Sequence, residues 1–201
     1  TSYWKNEVTC MRKERVGFAV CGSFCTHEKV LKALEALTGI YETVIPIVSE
    51  ISAFTDTRFG RSEDLLERLE DLTGNDVLLD IPSVEPIGPK GLLDVLVIAP
   101  ATGNTIAKLA AGIADTSVTM AAKSHLRNGR PVVLAVSSND GLAAGAKNIG
   151  ELLVRRNYFF VPFGQDNAEK KPSSLVADFA KLPETVDAAL RGEQIQPILL
   201  R

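Results

Sequence analysis

Apolar residues along this chain switch between a strand-like run and a helical period, and the switch recurs. Arg15-Val-Gly-Phe-Ala-Val-Cys21 is a short apolar run ending at Gly22-Ser23, after which Val30, Leu31, Leu34 and Leu37 recur at helical spacing up to Gly39. Glu42 to Val48 forms a second run, followed by Leu65, Leu66, Leu69 and Leu72 as a helix stopped near Gly74. Leu92 to Ala99 is almost continuously apolar and ends at Pro100, as expected of a strand buried on both faces of a parallel sheet. Ile106, Leu109, Ala110 and Ile113 then mark a helix with one apolar face. Val118 to Leu126 reads as the next helix, Pro131 to Val136 as a fourth parallel strand, and Leu142, Ala146, Ile149 and Leu153 as the helix after it. Tyr158 to Val161 is a fifth, short strand, and a last helix is expected around Leu175, Val176 and Phe179, restarted at Pro183.

This alternation predicts a single α/β domain over residues 14–201: a three-layer, doubly wound, mostly parallel Rossmann-like sheet. Residues 1–13 have no clear period and read as a loose N-terminal arm. Phe163 to Ser173, polar and flanked by prolines, reads as a functional or oligomer-contacting loop.

The composition narrows the function. The 201 residues are 45% hydrophobic and carry a net charge of −3, with no basic tract interleaved with aromatics, so a nucleic-acid partner is not expected. No apolar run approaches the roughly 20 residues that span a bilayer, and no signal-like segment opens the chain, which points to the cytoplasm and away from membranes. Three cysteines, Cys10, Cys21 and Cys25, fit a reducing compartment. Of these, the Cys21 and Cys25 pair offers a reactive thiol at a helix start as an alternative to plain buried or bystander cysteines. With only His27 and His125 besides, no metal-ligand spacing is present. Neither histidine has a partnered acid in view, so both read as solvated and not as general bases.

In open α/β sheets ligands bind beyond the carboxyl ends of the strands. Four such places occur: Cys21 to Thr26, Ser49 to Ser52, Pro100 to Thr105 and Ser137 to Asp140, all rich in small hydroxyl or amide residues. Gly22 and Ser23 stand at a turn into a helix, where backbone N–H groups can hold a phosphate; a plain helix cap by Ser23 or Thr26 fits that turn equally well. Gly103 permits close approach, and Asn104 and Thr105 offer donors and acceptors at a helix start. The Gly-x-Gly-x-x-Gly and Walker patterns are missing.

The stretch Ala99-Pro-Ala-Thr-Gly-Asn-Thr105, with the helix running to Asp115, resembles the Pro-Ala-Ser-Ala-Asn-Thr motif of the homo-oligomeric flavin-containing cysteine decarboxylases. Further segments, among them Thr55 to Gly60, Glu85 to Lys90, Arg127 to Val133 and Phe160 to Asp166, resemble the B-subunit family of dipicolinate synthases within that flavoprotein superfamily. The resemblance covers Arg15 to the C-terminus.

It implies FMN as cofactor, its phosphate at Gly22 and Ser23, with Ser49, Ala101, Thr102, Asn104, Thr105, Ser137 and Asn139 completing the site. It also implies a nicotinamide-binding A subunit carrying NAD(P), homo-oligomers by analogy, and a place in the mother cell of a sporulating bacterium. The implied activity is oxidation of a dihydro or hydroxy-tetrahydro precursor to pyridine-2,6-dicarboxylate. Arg58 is the expected contact for this small dicarboxylate, Lys171 a less favoured one, and Asn104 would orient substrate or flavin. The decarboxylases use a histidine after the second strand, and none occurs here between His27 and His125; their Pro-x-Met-Asn motif survives only as Ser137-Ser-Asn-Asp140. Two readings stay open beside the synthase component with its own redox chemistry: an FMN-dependent decarboxylase-like flavoprotein, and a non-catalytic partner that stabilises the A subunit.

Overall fold

The computed structural model describes residues 10–200, and most of the expected arm lies outside them. Strand β1 (Arg12–Val20) opens the fold three residues earlier than the apolar run suggests. Helix α1 (His27–Thr38) follows after a short 3-10 turn over Phe24–Thr26. Then come β2 (Tyr41–Val48), α2 (Glu50–Phe54), α3 (Ser62–Thr73) and the short α4 (Ile81–Val84). Helix α3 stops where Gly74 takes a left-handed φ of 65°, a conformation costly for any residue with a Cβ.

Strand β3 (Val95–Ala101) is buried at all seven positions, as its unbroken apolar run requires. It leads into α5 (Gly103–Ala111) and α6 (Ser117–Leu126). Helix α6 begins at a capping box in which Thr116 accepts from the Thr119 backbone and the Thr119 hydroxyl accepts from the Thr116 backbone. Strands β4 (Val132–Ser138) and β5 (Tyr158–Phe160) flank α7 (Ala146–Leu153). Leu142, expected in that helix, lies in the preceding turn and is half exposed.

The chain then departs from expectation. Phe163 to Ser173 is not a loop: β6 (Phe163–Asn167) and β7 (Lys171–Ala177) form an antiparallel hairpin. Leu175 and Val176 therefore belong to a strand and not to the last helix, which is α8 (Leu182–Leu190), with Pro183 in its first turn. Buried Leu175 and Ala177 alternate with half-buried Val176, a strand period too short to stand apart from the helical one in sequence.

The sheet order is β2-β1-β3-β4-β7-β6, with β5 also on β4. The first five strands pair in parallel, giving the 2-1-3-4-5 doubly wound order, with helices on both faces. The topological switch lies between β1 and β3. The far edge of β4 is shared: Val132 to Leu134 pair with β5, while Ser137 and Ser138 pair with Val176 and Leu175 of β7. The hairpin thus stands beside the carboxyl end of the sheet, the end where ligands bind in this architecture. The core is continuous from Phe18 and Ile98 through Leu134 to Phe160 and Val186. Each of these large buried side chains contributes about 2 kcal/mol of transfer free energy.

Candidate functional site

The loops after β1, β3 and β4 meet at the switch point. Ser23 takes a left-handed conformation, φ 58°, which folds the backbone over and lets its carbonyl accept from the Thr26 backbone N–H at 2.9 Å. Its hydroxyl donates to the Ser137 carbonyl oxygen at 3.0 Å. Thr102 caps α5 by accepting from the Thr105 backbone N–H at 3.2 Å, and its hydroxyl donates to Thr105 Oγ1. Thr105 Oγ1 in turn donates to Cys21 Sγ at 3.3 Å, closing a chain of contacts from the third loop back to the first.

Glycines set how closely these loops approach. A Cβ on Gly22 would rest 3.5 Å from the Thr102 methyl, in ordinary contact. On Gly103 it would fall 2.6 Å from Ser138 Oγ and 2.8 Å from Asp140 Oδ1, so only glycine lets α5 start against the fourth loop. Ser138 donates to that same Asp140 carboxylate at 2.5 Å.

Of the residues expected from sequence, Gly22, Ser23, Ala101, Thr102, Thr105 and Ser137 are brought together here, with Ala101 buried at the end of β3. Asn104, in the first turn of α5, is exposed and makes no side-chain hydrogen bond among the described residues. Asn139 is exposed after β4 and shares a shallow cleft with Lys171 of the hairpin, whose ammonium pairs with Asp166. Ser49 is buried at the end of β2, where its N–H donates to Val20 and its hydroxyl to Ser52. Arg58 is exposed, its guanidinium stacked 4.8 Å from the Phe59 ring centroid.

The expectation of a solvated His125 is corrected, since it is fully buried, while His27 is half-buried and not freely solvated. His125 donates from Nε2 to the Pro131 carbonyl and has no partner at Nδ1; burial brings its pKa down to about 4. His27 is largely withdrawn from solvent, which lowers its pKa, and its Nε2 donates to the carbonyls of Cys21 at 2.9 Å and Gly22 at 3.3 Å. The two cysteines of the first loop differ. Cys21 is buried, and burial pushes its thiol up to about 12, whereas Cys25 is exposed.

Sequence reasoning missed three features. Glu50, directly after β2, accepts from the Ser117 N–H at 2.8 Å and so joins the second loop to the start of α6. Asp140 is held against Gly103 as described. A cavity of about 340 Å³ lies between the start of α1 and the loop entering α3, bordered by His27, Phe59, Arg61 and Arg68. The seven-residue separation of Arg61, at the N-cap of α3, and Arg68, two turns into the helix, was the available signal for it.

Among the described residues no cluster of acidic, histidine and cysteine side chains could hold a metal, and no helix is long and apolar enough to cross a membrane.

The sequence matches the flavoprotein family over residues 5–164. It is 44% identical to the B subunit of dipicolinate synthase from Bacillus subtilis (strain 168), covering 96% of each chain. The crystal structure of the corresponding B subunit from Bacillus halodurans superposes with a TM-score of 0.86 at 44% identity, over 94% of this chain and 96% of that one. Among more distant structures, DmrB of Burkholderia xenovorans, solved in complex with FMN, shares the fold at a TM-score of 0.65 and 19% identity, over 89% and 96% of the two chains. The chain therefore belongs to the flavoprotein family and, within it, to the B subunits of dipicolinate synthase.

Proposed function

We propose that this chain acts with a nicotinamide-binding A subunit, carrying NAD(P), to oxidise a dihydro or hydroxy-tetrahydro precursor to dipicolinate, in the cytoplasm of the sporulating mother cell. The reading rests on the kinship to the B subunits of dipicolinate synthase. For a cofactor crevice the carrying observation is the junction of three strand-end loops at the β1/β3 switch point, held by the Ser23 to Ser137 hydrogen bond.

FMN fits that junction. The left-handed Ser23 turn and the start of α1 present backbone N–H groups suited to its phosphate, and Gly22 lets the turn approach the Thr102 methyl closely. Gly22, Ser23, Ala101, Thr102, Asn104, Thr105 and Ser137 would hold it, with Ser49 at the end of β2 and Asn139 beside the hairpin further out. When bound, the isoalloxazine would supply electron transfer beside the nicotinamide that takes the substrate's hydride. The chain's own residues bind and orient: the unpartnered Asn104 amide offers a donor and an acceptor, while Thr102 and Thr105, tied to each other and to Cys21, keep the wall rigid. Arg58, on the loop entering α3, offers a cation to one substrate carboxylate. Homo-oligomerisation belongs to the same reading.

One observation favours a second reading, a non-catalytic partner that stabilises the A subunit. The decarboxylases are expected to carry a histidine after the second strand, whereas no histidine occurs here between His27 and His125, and Glu50, at the end of β2, has its carboxylate committed to Ser117. This also argues against a decarboxylase-like activity.

The test is a visible spectrum of the purified chain and an FMN titration with and without the A subunit. A flavin band or saturable quenching supports the crevice. No binding under any condition transfers the redox chemistry to the partner.

A further inference from the structure

The cavity between the start of α1 and the loop entering α3 lies outside the set of residues assigned to flavin, yet its walls have a chemistry of their own. One wall is aromatic: the Phe24 and His27 rings meet at 5.2 Å between centroids, inclined at 52°. Phe59 faces them from the loop before α3. A planar ring between such walls gains both burial and stacking contact. The volume of about 340 Å³ sits at the lower end for small-molecule sites and suits a single substituted ring.

The charged groups divide unequally. Arg61 is already paired with Asp64 at 2.5 Å and lies near Glu63. Arg68 makes no ion pair among the described residues, and Glu28, on the opposite side, likewise has no cationic partner within 4 Å. Of the two arginines bordering the cavity, the one left free among the described residues to bind a carboxylate is therefore Arg68, seven residues after Arg61. Ser62 and Thr57 add hydroxyls at the same border.

The tautomer of His27 is fixed by its neighbours. A carbonyl oxygen can only accept, so Nε2, bonded to Cys21 and Gly22, must carry the hydrogen. In the neutral ring Nδ1 is then left with a lone pair. It has no hydrogen-bond partner among the described residues, and the ring that carries it borders the cavity. Burial favours the neutral ring, which keeps this lone pair available near neutral pH.

We propose that this cavity binds the ring dicarboxylate, with Arg68 holding a carboxylate and His27 Nδ1 serving as the proton acceptor. The substrate class rests on the function proposed above. Oxidation of a dihydro ring removes a hydride from one ring carbon and a proton from its neighbour, the electron pair of the second C–H bond becoming the new double bond. The hydride passes to the nicotinamide of the partner subunit, and the proton passes to His27 Nδ1.

The probe is dipicolinate itself, titrated calorimetrically into the whole chain, followed by turnover of each variant reconstituted with the A subunit. Binding is expected to be saturable, and to weaken about tenfold in Arg68→Gln while the exposed control Arg127→Gln is unchanged. In turnover, Arg68→Gln should act mainly on KM, and His27→Gln mainly on kcat, by about a hundredfold. A thermal melt of each variant and an FMN titration on the same samples keep a folding defect and a crevice defect apart. Unchanged affinity and turnover in both variants, or no dipicolinate binding by the native chain, would overturn the cavity assignment. Flavin binding and A-subunit stimulation that persist in that case would leave the function proposed above standing.

Discussion

Ser23 donates its hydroxyl to the backbone carbonyl of Ser137 at 3.0 Å, joining the turn after β1 to the end of β4, 114 residues away in sequence. The bond uses the serine side chain as a strut, leaving the backbone of the turn to meet an anion. Ser23→Ala should cost about 1 kcal/mol of stability, through loss of one part-buried hydrogen bond, and retain FMN affinity within a few fold. Ser23→Asp should abolish FMN binding, because a carboxylate in the turn repels the phosphate. Calorimetric titration of both variants separates strut from ligand contact; equal FMN affinity in Ser23→Asp would remove the phosphate from this turn.

The cysteines of the first loop differ in environment, and a thiol-reactive probe reads the difference. Cys10 and Cys25 are exposed, so both should be modified in the native protein. Cys21, buried beneath Thr105 with its thiol raised to about 12, should be modified only on unfolding. Intact-mass analysis before and after denaturant checks the order, and early labelling of Cys21 would mean that the β1–α5 junction opens readily.

His125 ties stability to pH. Its folded pKa of about 4 lies below the ordinary value of 6.5, so the unfolded chain takes up a proton that the folded chain refuses. Stability from this residue is complete above about pH 6.5, falls as the pH drops, and levels off below the folded value. The loss between about pH 7.5 and about pH 5 should be on the order of 2 kcal/mol. Urea unfolding of the native chain and His125→Gln at both values tests this: the variant should lose less on acidification, and parallel losses would assign the acid sensitivity elsewhere.

Gly103→Ala places a methyl 2.6 Å from Ser138 Oγ, at the point where α5 begins. The expected cost is about 1–3 kcal/mol, with FMN affinity falling as the third and fourth loops are pushed apart. Gly22→Ala, whose methyl would sit 3.5 Å from Thr102, should be milder in stability. A reversed order in melting temperature would contradict this account of the junction.

The parallel half of the fold was legible because β3 and β4 are buried on both faces and α1, α3 and α5 on one, which writes two distinct periods into the chain. The hairpin was not. Gln165 to Lys170 project beyond the core, carry no apolar alternation to betray a strand, and so resemble a loop in sequence. The strand-end rule found the loops that converge at Ser23, Thr102 and Ser137, since a parallel sheet brings those positions to one edge whatever their separation. It could not find the environments of His27 and His125, which depend on backbone carbonyls of Cys21 and Pro131, and a carbonyl leaves no mark on residue type. Nor could it weigh Arg58 against Arg68, because pairing is a matter of distance.

The most direct measurement is the rate of dipicolinate formation from its dihydro precursor by the A subunit and NAD(P), with and without this chain, and with Ser23→Asp in its place. The account predicts that the chain raises the rate substantially and that Ser23→Asp, though folded, fails to do so. An A subunit that reaches the full rate alone would contradict it.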